Sequence, residues 1–135
     1  MKNIRTIGAV LFILTIYGCN STNSQPVSEL LTADEFEKKM KSTKDAILLD
    51  LRTDNEVANG IIAGAKQMDF NSGEFSRNLP KLDKSKKYMV YCAGGGRSGK
   101  AAKLMLDAGF AEVYDLKGGM GAWASAGKGV EAKKE

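Results

Sequence analysis

Histidine is absent from the 135 residues. That removes imidazole-based zinc sites and every catalytic triad that needs an imidazole base. Cysteine occurs twice, too few for a disulfide scaffold. Proline also occurs twice, which excludes a Pro-rich linker protein. Hydrophobic residues make up 43% and charged residues 27%, as in an ordinary soluble domain. A chain of this length fits one domain and can bury roughly two-thirds of its unfolded surface, enough for a core without staples.

The beginning of the chain is built differently from the rest. Lys2 and Arg5 precede an apolar run from Ile7 to Tyr17. Its eleven residues fall short of the roughly 20 that a membrane-crossing helix needs, so the run reads as a secretory signal. Ile16-Tyr17-Gly18-Cys19 resembles the bacterial lipobox, in which lipid is attached to the cysteine and cleavage falls just before it. Tyr17 is bulkier than the usual residue there. The expected segments are a lipoprotein signal at 1–18, a polar tether at 19–31, a folded domain at 32–127 and a charged tail at 128–135. Lipid on Cys19 would anchor the protein to a bacterial membrane, facing the periplasm. Removal of 18 residues would leave 117 and lower the formal charge from +4 to +2, too little to argue for nucleic acid.

Within the domain, Thr32-Ala33-Asp34-Glu35 is a capping box, which predicts a helix to about Lys41. Ala46 to Leu51 and Lys87 to Cys92 are short apolar runs that predict buried strands. Ala101, Leu104, Met105 and Ala108 share one face of a helix predicted over Ser98 to Ala108, stopped by Gly109. Glu112 to Leu116 predicts another strand, followed by a helix from Met120 to Ser125. A weaker strand is expected at Lys66 to Asp69 and a helix near Phe75 to Leu82. Strands alternating with helices point to an α/β fold with a central parallel sheet.

The chemistry converges on Tyr91-Cys92-Ala93-Gly94-Gly95-Gly96-Arg97-Ser98, between a strand and a helix. Open α/β sheets place their ligand sites at such junctions. Three glycines let successive N–H groups turn inward and form an anion-binding nest. The following helix contributes the positive end of its dipole, and Arg97 and Lys100 add charge. A cysteine at the lip of such a nest is favoured as thiolate, its reactive form. The alternative is that Cys92 is a small buried hydrophobe.

Other patterns overlap these residues. Gly94 to Gly99 spells the dinucleotide fingerprint G-x-G-x-x-G, with Asp115 at the distance of the acidic partner. The mature chain is too short for both halves of a dinucleotide fold. Gly94 to Lys100 also reads as a P-loop, but Ala101 stands where Ser or Thr should hold Mg²⁺. Cys92 and Arg97 flank a loop as in cysteine phosphatases, with four intervening residues where that pattern has five. The smaller nest favours a smaller electrophile than a phosphoryl group.

From about residue 32 to 126 the chain resembles single-domain rhodanese-like sulfurtransferases. Leu49-Asp50-Leu51-Arg52 with Glu56 is similar to the family's first motif, and Gly60 to Ala65 to its second. Cys92 to Ser98 resembles the active-site loop, and Leu116 to Trp123 the closing motif. Ile61 stands where the family usually has histidine, and Val57 where an aromatic is common; altered local packing is the expected consequence. The resemblance implies a three-layer α/β/α fold and a ping-pong reaction without cofactor or metal. In it Cys92 takes sulfane sulfur from thiosulfate, polysulfide or a persulfide. The persulfide is held by loop N–H groups from Ala93, Gly94, Gly95, Gly96, Arg97 and Ser98, then passed to cyanide or a thiol. A monomer is expected.

Among residues near the site, Asp50 is expected to be a buried, paired carboxylate. Arg52 and Glu56 are expected to form an ion pair at helical spacing. Trp123 and Met120 read as core, and Lys133 to Glu135 as a solvated end. Two other functional classes remain open. One is a module that docks a partner or delivers persulfide without free turnover. The other is a redox protein, disfavoured because no C-x-x-C occurs and a lipidated Cys19 could not resolve Cys92.

Overall fold

The computed structural model describes residues 25–134; the signal segment and Cys19 lie outside the described residues. Five parallel strands form one sheet in the order β1-β5-β4-β2-β3. They are β1 (Val27–Leu31), β2 (Ile47–Asp50), β3 (Lys66–Gln67), β4 (Tyr88–Tyr91) and β5 (Glu112–Leu116). The helices are α1 (Ala33–Ser42), α2 (Asp54–Val57), α3 (Glu74–Asn78), α4 (Gly96–Asp107) and α5 (Gly119–Ser125).

Side-chain alternation along the strands divides the core in two. Tyr88 and Val90 of β4 and Val113 of β5 pack with Ala101, Ala102 and Met105 of α4 and Phe75 of α3. Met89, Tyr91, Tyr114 and Leu116 point the other way, onto Phe36 of α1 and Trp123 of α5. The result is the expected three-layer α/β/α arrangement. β4 is buried at every residue, which is why it reads as a continuous apolar run. Trp123 belongs to the core as expected, edge-on to Phe36, with its indole N–H donating to the Gly129 carbonyl.

The strand expected at Lys66 to Asp69 is only Lys66–Gln67, the helix expected near Phe75 to Leu82 is α-helical over Glu74–Asn78 with a 3-10 turn at Leu79–Lys81, and larger differences fall at four places. The tether ends sooner, because residues 27–31 are the edge strand β1, paired along its length with β5. Ser28, Glu29 and Leu30 are exposed, so the strand carries no apolar run or clean alternation to announce it. The helix α2 was not anticipated, although Thr53 and Glu56 form a capping box with the spacing of Thr32 and Glu35. α4 starts at Gly96, two residues before the predicted Ser98, because the left-handed Gly95 serves as its N-cap. The charged tail is seated as far as Lys133, whose ammonium donates to the Gln67 side-chain carbonyl, so the solvated end expected from Lys133 begins one residue later. Lys128 bridges Asp34 and Glu37 of α1 at 2.9 and 2.8 Å, and Glu131 forms an antiparallel bridge with Ile61. Ile61 is buried, so this apolar residue closes the turn after α2 against the C-terminal segment.

Candidate active site

Cys92 follows the last residue of β4 and is 1% exposed. Its Sγ faces the first turn of α4. The Gly95 N–H donates to it at 3.1 Å and the Ser98 N–H at 3.5 Å, with the Ser98 hydroxyl also at 3.5 Å. Gly95 reaches this position with φ +101°, a conformation L side chains rarely adopt. Burial pushes the Cys92 thiol up, but the Ser98 hydroxyl and the N–H groups of Ser98, Gly95 and Gly94 outweigh it. The thiol therefore lies below its ordinary value, as hydrogen bonds to the charged form require. Around it Ala93, Gly94 and Gly96 are exposed, so the loop faces solvent above a buried sulfur.

The floor of the loop is fixed by α5. The Cys92 carbonyl accepts from Met120 N–H at 2.8 Å and the Ala93 carbonyl from Gly121 N–H at 3.1 Å. Gly119 permits this approach, since a Cβ there would lie 2.7 Å from the Ala93 carbonyl carbon.

Arg97 is held from the side. Its Nη1 and Nη2 donate to Glu56 Oε2 and Oε1 at 2.8 and 2.6 Å. Glu56 also accepts from the Thr53 N–H and hydroxyl at 2.8 and 3.0 Å. The Arg97 guanidinium, with help from Thr53, brings the Glu56 carboxyl down to about 2.

This pairing corrects the expected Arg52–Glu56 ion pair. Arg52 Nη2 instead meets Asp50 Oδ2 at 2.6 Å, with Nε 2.9 Å from Oδ1, and touches Glu56 through that residue's backbone carbonyl. The reason is geometric. Arg52 precedes α2, so the four-residue spacing does not place it and Glu56 on one helix face. Asp50 is buried and paired, as expected. Its Oδ2 also accepts from the Tyr91 hydroxyl at 2.5 Å, and Tyr91 accepts in turn from Ile62 N–H at 3.1 Å. Arg52 Nη2 reaches the Gly60 carbonyl at 2.7 Å, so the group ties β2, β4 and the turn at Gly60 together below the loop.

The structure thus brings Cys92, Ala93, Gly94, Gly95, Gly96, Arg97, Ser98 and Glu56 to one site, with Asp50 and Arg52 as its support. Sequence reasoning did not assign site positions to Thr53 and Gly119, and gave Tyr91 no role beyond its place in the loop segment. Thr53 was legible through its capping box. No group of three or more His, Cys, Asp or Glu able to hold a metal occurs among the described residues.

The site is thus a thiolate-favouring nest at the carboxyl end of a central parallel strand in an α/β fold. Residues 32–126 match the model of the rhodanese-like domain, and the chain belongs to that family. It is similar to a sulfurtransferase of Allochromatium vinosum, 28% identical over 76% of this chain and 94% of that one. It also resembles the putative sulfurtransferase YtwF of Bacillus subtilis, 34% identical over 72% of this chain and 90% of that protein. A tRNA uridine(34) hydroxylase of Cytophaga hutchinsonii is 37% identical over 62% of this chain, which covers only 28% of that larger protein. Among solved structures, a rhodanese-like domain protein of Staphylococcus aureus aligns with TM-score 0.65 and 34% identity, covering 78% of this chain and 99% of that one.

Proposed function

We propose that the protein moves sulfane sulfur from a donor to a thiophilic acceptor through a persulfide on Cys92. The observation that carries this reading is the Cys92 sulfur set against the Gly95 and Ser98 N–H groups at the head of α4. Such a thiol is activated by electrostatics, so the absence of histidine is no obstacle.

In the first half-reaction the Cys92 thiolate attacks the outer sulfur of thiosulfate, or the sulfane sulfur of a polysulfide or persulfide. A new S–S bond forms, the old one breaks, and the leaving group, sulfite for thiosulfate, departs with the bonding electron pair. The terminal sulfur of the persulfide carries the negative charge, and the loop N–H groups suit a second sulfur anion as they suit the first. In the second half-reaction cyanide or a thiolate attacks that outer sulfur. Thiocyanate or a new persulfide leaves, and the Cys92 thiolate is restored.

Turnover tests this reading. Reduced protein supplied with thiosulfate and cyanide, or with a small persulfide and a thiol, should follow ping-pong kinetics that vanish in Cys92→Ser. Absence of transfer with every donor, from a thiol shown to be free, would favour a docking module instead. The lipobox-like segment supports export and lipid attachment at Cys19. Fractionation of cells making the wild type and Cys19→Ser should find the first in the membrane and the second outside it.

A further inference from the structure

Charge is unevenly placed on this domain. The first residues of β1, β2, β4 and β5 lie together at one end of the sheet, where the Val27 N–H donates to the Ala111 carbonyl and the Ile47 N–H to the Lys87 carbonyl. Lys39 and Lys41 in the last turn of α1 reach this end, and Lys44 follows them into β2. Lys81, Lys84, Lys86 and Lys87 occupy the 3-10 turn and loop that lead into β4. Lys103 meets Asp107 at the end of α4 at 2.6 Å, and Lys87 meets Glu112 at 3.2 Å. With Asp45 and Asp83, four carboxylates stand among eight lysines. Lys44, Lys81, Lys84 and Lys86 are exposed and form no ion pair among the described residues. The chain after residue 18 has a formal charge of +2, less than the surplus at this end alone, so the rest of the surface is slightly acidic.

The chain also enters the fold at this end. Cys19 lies eight residues before Val27, a reach of at most about 29 Å when fully extended. Cys92 follows the last residue of β4 and so stands at the opposite end of the sheet. That opposite end carries the exposed carboxylates of Asp34 and Asp54, which an anionic surface repels. A tether of such reach lets the domain roll on a membrane, and charge then decides which face settles. Anionic head groups attract each lysine brought near them, and an anchor holds the patch at high local concentration.

We propose that the lysine-bearing end of the sheet rests on an anionic lipid surface, which turns the Cys92 loop toward the water. The standing orientation rests on the lipid-attachment reading above, whereas the affinity of this face for anionic lipid does not. Held this way, Cys92 meets donors and acceptors that arrive in solution, not from within the bilayer. Without lipid on Cys19 the patch gives only weak adsorption that salt removes.

The test uses the chain from residue 19 with Cys19→Ser, which keeps every described residue and leaves Cys92 as its one thiol. At low salt it should cosediment with phosphatidylcholine vesicles holding about one-third phosphatidylglycerol at least about tenfold more strongly than with phosphatidylcholine alone, and about 0.5 M salt should abolish the difference. Lys44→Glu, Lys84→Glu and Lys86→Glu together should weaken binding to the anionic vesicles by about tenfold or more. Lys66→Glu, Lys100→Glu and Lys117→Glu together change the net charge equally, but on exposed lysines of the other end, and should weaken it by less than about threefold. All six side chains are exposed, and unchanged thermal midpoints will show both variants folded. A membrane-impermeant alkylating reagent should reach Cys92 as fast on the vesicles as in solution. Equal binding to both kinds of vesicle, equal loss in the two triple variants, or protection of Cys92 on the vesicles would overturn the proposal. None of these readings needs lipid on Cys19 or a sulfur donor, so they stand or fail apart from fractionation and turnover.

Discussion

Glu56 grips Arg97 with both oxygens, at 2.6 and 2.8 Å, and so ties the short helix α2 to the first turn of α4. The loop's guanidinium is thereby held in place by a carboxylate. A bidentate pair of this kind fixes geometry as well as charge. Glu56→Gln should leave Cys92 in place but loosen the loop, at a cost of about 1–2 kcal/mol at pH 7, discounted for partial exposure. The sign of the pH effect follows from the lowered pKa of Glu56. A carboxyl held at about 2 when folded stabilises fully above its unfolded value near 4.5, and that stabilisation is lost as pH falls toward 2. Urea unfolding of wild type and Glu56→Gln should therefore converge as pH drops from 5 to 2. A constant gap across that range would show the pair to be irrelevant to stability.

Gly119 carries a second prediction. With φ +57° and the Ala93 carbonyl carbon where a side chain would begin, alanine there must push the loop off α5. Gly119→Ala should destabilise by about 2–4 kcal/mol, combining backbone strain with a clash. It should also slow Cys92 alkylation at neutral pH, because the N–H ring loses its floor. Gly64→Ala is the control: φ is +82° but nothing stands within 4 Å, so only the strain remains. Thermal unfolding should rank wild type above Gly64→Ala and Gly64→Ala above Gly119→Ala.

Tyr91 links the two ends of the supporting network. Its hydroxyl donates to Asp50 and accepts from Ile62, and burial beside Asp50 pushes its ionisation well above the ordinary tyrosine range. Tyr91→Phe leaves the Ile62 N–H unpaired and Asp50 with Arg52 alone, which should cost about 1–3 kcal/mol. Denaturant midpoints check the value. Unchanged stability would mean that water replaces the hydroxyl.

The C-terminal segment yields the fourth prediction. Lys128 bridges two carboxylates of α1, and the Gly129 carbonyl takes the Trp123 indole N–H. Removing residues 128–135 should lower stability by about 1–3 kcal/mol and expose Trp123 to quenchers. A frayed tail would be dispensable, with tryptophan fluorescence unaltered.

The segment 128–131 also illustrates what the sequence conceals. Lys128 looks like a solvated charge until folding brings Asp34 and Glu37 to it from 91 or more residues away. β1 was hidden for a related reason: an edge strand with three exposed residues has no apolar pattern. The central strands, buried on both faces, were legible because burial itself makes the run apolar. At the site, the glycines and the cysteine were readable because loop curvature and nucleophilicity depend on residue type. The partner of Arg97 was not, since Glu56 lies 41 positions earlier and its spacing from Arg52 suggested a local pair. Only the capping box at Thr53 signalled that Glu56 belongs to a separate helix.

The persulfide itself is the most direct test. Intact mass of the reduced protein should rise by one sulfur atom on exposure to thiosulfate or to polysulfide. Cyanide should remove the added sulfur, and Cys92→Ser should never acquire it. A free Cys92 thiol that gains no sulfur from any donor would contradict sulfur transfer through this site.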